Sequence, residues 1–183
     1  MTPVDHRPLV LFAAALALGG CTGRTPPAAP RPSAASALAV TSTAFTDGGP
    51  IPAAFTCTGG ARRPPLAWTG DLRGAKALAV VVDDPDAPGG DYYHWVVVDL
   101  PATVTALGDD VPVTAHQIEN SGGTGSWTAP CPPSGTHHYR FTVYGLSAPT
   151  GLPADAALSD AFGVIQRTAV VQGRLTGLVT HQK

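Results

Sequence analysis

Charge is scarce in this sequence. Lys, Arg, Asp and Glu make up 13% of its 183 residues, the formal net charge is −2, and no basic cluster exceeds the pair Arg62-Arg63. Nucleic-acid binding requires a concentrated positive footprint, so no nucleic-acid partner is expected. Long apolar runs are lacking too. The stretch from Leu9 to Leu18 is about half of the roughly 20 residues that a membrane-crossing helix needs. Cysteine is limited to three residues, none in a Cys-x-x-Cys pair, which leaves a structural zinc site or a thioredoxin-like motif without support. Asp84, Asp86, His94 and His137 are ligand-type side chains, but they follow no metal-ligand spacing. Neither a metal nor a cofactor is expected.

The short apolar run has a reading of its own. It follows a polar start containing Arg7 and precedes Leu18-Gly19-Gly20-Cys21, the layout of a signal peptide over residues 1–20. Leu-Gly-Gly-Cys resembles a bacterial lipobox, in which cleavage before the cysteine leaves Cys21 carrying lipid. Two or more acyl chains there give firm membrane anchoring. The competing reading is a soluble secreted protein cut elsewhere. Residues 21–37 read as the lipidated cysteine and a Pro/Ala-rich tether, with no aliphatic side chain larger than Ala from Thr22 onward. Residues 38–183 have the length of one domain that buries about two thirds of its unfolded surface. The expected location is the cell envelope, anchored on the exported side of a bacterial membrane. With Cys21 committed to lipid, Cys57 and Cys131 remain as an even pair in an oxidising compartment. They form either a disulfide or two small buried thiols.

Within that domain, residues 76–83 (KALAVVVD) and 92–99 (YYHWVVVD) are dense in β-branched and aromatic side chains and are bounded by Pro, Gly or Asp. They read as strands covered on both faces. Residues 138–146 form a third, with Tyr139, Phe141 and Val143 on one face and His138, Arg140 and Thr142 on the other. Shorter strands are expected at 38–45, 53–57, 103–106 and 114–118, and a closing one at 175–180. One helical pattern, Leu158, Phe162, Ile165 and Ala169, follows Pro153 and Asp155. Nineteen prolines and twenty-one glycines, mostly between these runs, favour many short strands over a helix-crossover fold. The fold class is therefore mainly β.

Two proline-stiffened loops carry chemistry. Residues 83–91 (DDPDAPGGD) form an acidic loop between strong strands, and His94 follows on the strand face expected to hold Tyr92, Val96 and Val98. Residues 129–136 (APCPPSGT) lead into His137-His138-Tyr139 and deliver His137 and Tyr139 to one strand face. Trp68 and Trp95 read as core, and Trp127 as core or pocket rim. His116 and Ser121 imitate the motifs of trypsin-like proteases. They stand five residues apart, however, with Asn120 where that family has Asp, so no peptidase is expected. A catalytic triad is in any case a matter of geometry.

The series DPDAP (84–88), HWVVV (94–98), PCPPSG (130–135) and HHYRFTVYGL (137–146) resembles the bacterial, Raf-kinase-inhibitor-like branch of the phosphatidylethanolamine-binding protein family. The opening Thr41-Ser42, Phe45, Ile51-Pro52, Phe55-Thr56-Cys57 and Pro64-Pro65-Leu66-Ala67-Trp68 agrees with it. The resemblance covers about 41–180. It implies a large antiparallel sheet packed on a smaller one, with a C-terminal helix near a pocket for small anions or phospholipid headgroups. Carried over by position, the ligand-binding residues are Asp84, Asp86, Pro88, His94, Pro130, His137 and Tyr139, with none catalytic. Asp84 would orient a histidine and favour its charged form. Thr58, Ala61 and Arg63 depart from the branch pattern, and Arg63 is expected to add charge at the pocket mouth. His138 replaces the family arginine, which is expected to remove an ion pair with Asp86. The function implied is that of an envelope lipoprotein, not an enzyme, that binds a phosphorylated ligand. The alternatives are an inhibitor or protein-interaction module with a regulatory or vestigial pocket, and a weak hydrolase using His94.

Overall fold

The computed structural model describes residues 38–182. The expected signal peptide, Cys21 and the tether lie outside the described residues. Among those described, the elements run β1 (Leu38–Thr41), β2 (Leu66–Gly70), β3 (Ala77–Asp84), β4 (Tyr92–Pro101), β5 (Ala106–Leu107), β6 (His116–Ile118), β7 (Thr136–Leu146), α1 (Leu158–Thr168) and β8 (Ala169–Thr180). All neighbouring strands pair antiparallel. One sheet has five strands in the order β6-β4-β3-β7-β8, and the other has three in the order β1-β2-β5.

The unbroken apolar run of β3 is explained by its central place, because every residue of the strand is buried. Leu78, Val80 and Val82 point to the small sheet and meet Leu38, Val40, Leu66 and Trp68. Ala79 and Val81 point the other way, where α1 supplies Ala161, Phe162 and Ile165. Burying each Val, Leu, Ile or Phe contributes about 1.5–3 kcal/mol. The two faces together fix which side of the large sheet each residue of β3, β4 and β7 serves.

Several local expectations are corrected. Residues Ala53–Phe55 form a 3-10 turn after Pro52 instead of a strand. Leu66–Gly70, not expected as a strand, pairs with β1 through Val40 and Trp68. β8 begins at Ala169 and not at 175, and buries Val171, Gly173, Leu175, Gly177 and Val179 in strict alternation. Its glycines are where other chain segments cross. A Cβ at Gly173 would lie 2.2 Å from the Leu38 carbonyl oxygen, and one at Gly177 would lie 2.4 Å from Ile51 Cγ1. The outer edge of β8 is covered by residues 47–51: Asp47 Oδ1 accepts the Thr176 N–H, and the Ile51 N–H donates to the Leu178 carbonyl at 2.8 Å. An edge paired in this way is closed to further strands.

Candidate functional site

β4 does not hold its face. Val82 pairs with Trp95 and Asp83 with Tyr93, so His94 is the extra residue of a β-bulge. Tyr92, His94, Trp95 and Val97 therefore face one side, where the His94 ring lies 4.8 Å from that of Tyr92 and 5.2 Å from that of Tyr139. Tyr93, Val96 and Val98 face the helix. The expectation that His94 shares a face with Val96 and Val98 fails for this reason, because simple alternation cannot register an inserted residue.

Asp84 ends β3 on the same side. Its Oδ1 accepts the Asp86 N–H at 2.9 Å, the local turn that an Asp before Pro favours. Its Oδ2 accepts from His137 Nδ1 at 2.7 Å. Asp84 is 3% exposed and His137 6% exposed, so this is a buried, hydrogen-bonded pair with both carboxylate oxygens engaged. Asp86 lies outside it at the surface. There it accepts from the His138 N–H at 2.8 Å and from His138 Nδ1 at 2.7 Å, and these bonds hold its carboxyl below the usual range. Histidine at 138 thus retains a contact with Asp86, contrary to the expected loss.

A cavity of about 280 Å³ opens above Asp84, Pro88, Tyr92, His94, Thr128 and Tyr139, with Cys131 and Pro133 in its far wall. His137, Asp86 and Pro130 do not line it. His137 stands behind Asp84, Asp86 pins the acidic loop to β7, and Pro130 lines an adjoining cavity of about 350 Å³ that shares Cys131 and Pro133. Arg63 is not at the mouth. Its guanidinium lies 4.2 Å from the centre of the Trp95 ring and its Nε donates to the Gly108 carbonyl, a half-buried position that lowers its pKa through desolvation. Trp127 packs beneath the site, stacked on Phe141 and edge-on to Trp95.

Cys57 and Cys131 are joined in a disulfide with 5.4 Å between their Cα atoms. The Cys57 N–H also donates to the Pro130 carbonyl at 3.0 Å. Because Pro130, Pro132 and Pro133 have no N–H to donate, the bridge is a principal tie for this wall. Sequence reasoning missed Asn120, which donates through Nδ2 to the His94 carbonyl at 3.1 Å and to Thr128 Oγ1 at 2.9 Å. It braces the bulge from below, and nothing local in the sequence marks it. Ser121, the apparent nucleophile, accepts the Tyr93 N–H at 2.9 Å through its Oγ and is a strut.

The chemistry follows from protonation. His94 Nδ1 lies 2.9 Å from the Thr128 carbonyl, which only accepts, so Nδ1 carries the proton. Burial lowers the His94 pKa, against the opposing pull of the Thr128 bond and the Asp84 charge. Burial thus favours the neutral ring, in which Nε2 is an acceptor. The Tyr139 hydroxyl is buried and has no hydrogen-bond partner. Burial, then the Asp84 charge, raise its pKa and keep it a donor. The Asp84 carboxylate and the Cys131 backbone N–H both lie near enough to act on the hydroxyl, but neither makes a well-aligned bond with it. On the opposite face of the sheet, Arg140 pairs with Asp83 and reaches Asp91 at 3.6 Å, tying together the strand ends that carry the site.

Known proteins give the same picture on a larger scale. The family model described as phosphatidylethanolamine-binding protein matches residues 41–180. A Mycobacterium tuberculosis protein whose name, LppC, marks it as a candidate lipoprotein is 42% identical over 198 aligned residues, covering 97% of this chain and 98% of that one. The crystal structure of Escherichia coli YbcL, described as a member of the mammalian family, aligns with a TM-score of 0.74 at 31% identity over 80% of this chain and 99% of its own. That of the family homologue CT736 from Chlamydia trachomatis aligns with a TM-score of 0.74 at 30% identity, over 81% and 100%. With the family model matched over residues 41–180 and its length covered almost throughout by a relative at 42% identity, this chain belongs to the phosphatidylethanolamine-binding protein family.

Proposed function

We propose that this is a binding protein of the bacterial cell envelope, anchored through lipid on Cys21, that takes a small phosphorylated ligand or phospholipid headgroup in the His94–Tyr139 cavity. One observation carries the reading: the buried Tyr139 hydroxyl makes no well-aligned hydrogen bond within the protein, and Tyr139 lines a cavity of ligand size. A buried donor without an acceptor costs about 1–3 kcal/mol, and an oxyanion seated there relieves that cost. Pre-formed cavities with a few convergent polar groups are the usual form of small-molecule sites. The anchoring part is supported by the Leu-Gly-Gly-Cys motif and by the name of the mycobacterial relative.

Calorimetric titration with phosphoethanolamine tests the pocket. Binding is expected at pH 5.5 and weaker binding at pH 8, because the complex holds a proton between His94 Nε2 and the ligand phosphate that the separated partners have lost at pH 8, and the linkage runs in that direction. Tyr139→Phe should weaken it about tenfold, while His116→Ala on β6 should leave it unchanged. Absence of binding at both pH values removes the ligand-binding reading and favours a protein-interaction module.

A further inference from the structure

The ligand cavity of an anion site would be expected to hold a fixed cation, and this one does not. Among the described residues that line it, none is Lys or Arg. Arg63 is turned onto Trp95, and Arg140 lies on the other face of the sheet with Asp83 and Asp91. The charged side chain that does line the cavity is the carboxylate of Asp84, whose oxygens each already accept one bond, from the Asp86 N–H and from His137. The hydroxyl-bearing Tyr92 and Thr128 also line the cavity, and beside them stand one acceptor and one donor that a single ligand group can bridge. The acceptor is His94 Nε2, because Nδ1 is committed to the Thr128 carbonyl. The donor is the unpartnered Tyr139 hydroxyl, and the His94 and Tyr139 rings are only 5.2 Å apart. The groups facing His94 are Tyr92 from its own strand, Asp84 from β3 with His137 behind it, Tyr139 from β7 and the Thr128 carbonyl from the proline loop.

A fully ionised anion meets this arrangement badly. It satisfies Tyr139 but turns a lone pair toward the lone pair of Nε2 and brings like charge toward Asp84. A monoester of phosphoric acid in its singly ionised form satisfies both positions, because its P–O–H donates to Nε2 while a second oxygen accepts from Tyr139. From this pairing we infer that the cavity selects an oxyacid that still carries one acidic hydrogen, a phosphomonoester monoanion, over diesters and dianions of the same size. The inference rests on the ligand-binding reading above and narrows it: the recognised group is a terminal phosphate, not the internal diester of an intact phospholipid. Discrimination by an unpaired buried polar group is the strong kind, whereas shape alone separates isosteres poorly.

Methyl phosphate and methyl sulfate test this directly. At pH 6 the methyl phosphate monoanion and methyl sulfate have the same charge and nearly the same shape, and differ by the one hydrogen. Affinity counted per monoanion should favour methyl phosphate by about tenfold or more. The apparent affinity, counted per total methyl phosphate, should fall as pH rises through the second ionisation of the phosphate, near pH 6. Dimethyl phosphate, which has no acidic hydrogen, should bind as weakly as methyl sulfate. His94→Phe should bring the methyl phosphate to methyl sulfate ratio close to one, whereas Tyr139→Phe should weaken both and preserve the ratio. Equal affinities of the wild-type protein for methyl phosphate and methyl sulfate overturn the inference and leave the anion-binding reading standing. Absence of binding by every probe overturns both. Competition by ethylammonium at the same site, stronger than that of methyl sulfate, also overturns it, because Nε2 would then be an acceptor for an ammonium ligand.

Discussion

At His94, burial and hydrogen bonding act in opposite directions. Desolvation lowers the imidazole pKa, and the Thr128 carbonyl and the Asp84 charge offset part of that shift. Since the folded-state value lies below the ordinary 6.5, the unfolded chain binds this proton more readily. The His94 contribution to stability is therefore complete above about pH 6.5 and declines as pH falls toward the folded-state pKa. Urea unfolding at pH 7.5 and pH 5 is expected to show a smaller loss of stability on acidification in His94→Gln than in the wild type. An equal or larger loss in the variant contradicts this account. Tyr139 makes a second case at the same scale. Its hydroxyl makes no well-aligned hydrogen bond, so Tyr139→Phe removes a desolvated donor and should leave stability unchanged or raise it by up to about 1 kcal/mol in denaturant unfolding. A marked loss of stability would mean that the hydroxyl has an acceptor within the protein.

Between elements, the closest fit is the crossing of β1 over β8. The backbone of Leu38 passes so near Gly173 that a Cβ there would stand 2.2 Å from its carbonyl oxygen and 2.7 Å from its own Cβ. Backbone cannot yield as a flexible side chain can, so Gly173→Ala is expected to cost about 2–3 kcal/mol by overpacking. Gly163→Ala in α1, whose nearest neighbour would be the movable Arg167 Nη1 at 3.3 Å, should be neutral or stabilising through helix propensity. Thermal unfolding of the two variants separates these outcomes, and equal effects would mean that the strand crossing tolerates displacement. The β4 bulge is the other device at this scale. Two successive irregularities, at His94 and near Asp99 with its φ of +60°, re-aim the strand. The Asp99 carboxylate then accepts from Thr150 and Gly151, fixing the approach to α1.

For the molecule as a whole, the disulfide and the proposed lipid at Cys21 are the two covalent features to test. The Cys57–Cys131 bridge spans a sequence separation of 74 residues, for which chain entropy predicts a stabilisation of about 4 kcal/mol. The Cys57→Ser/Cys131→Ser double variant should unfold at a correspondingly lower urea concentration with an intact large sheet. An unchanged midpoint would mean that the proline loop is held by its other bonds. Lipid on Cys21 is checked by growth with a clickable fatty acid: the full-length protein should take up the label and Cys21→Ser should not. Equal labelling of both would exclude Cys21 as the attachment point.

Much of this was legible in the residue order. Burial on both faces gives β3 and the centre of β4 unbroken apolar runs, helical spacing marks Leu158 to Ile165, and the proline motifs carry the family resemblance. Each of these signals is local in sequence, which is why it survives without a structure. The His94 bulge was not legible, because an inserted residue is defined against a partner strand and leaves the strand's own composition unchanged. Nor was the long β8, whose glycines depress local β-propensity and make room for the Leu38 backbone and the Ile51 side chain that press on it. The roles of His137, Asp86, Pro130 and Arg63 likewise depended on which neighbours met them in three dimensions. Sequence alone determined which side chains are present and in what order. Only tertiary packing decided that burial favours the neutral form of His94, that each Asp84 oxygen already accepts a bond, and that the Tyr139 hydroxyl lacks a well-aligned one, because burial and hydrogen-bond partners are properties of the assembled fold.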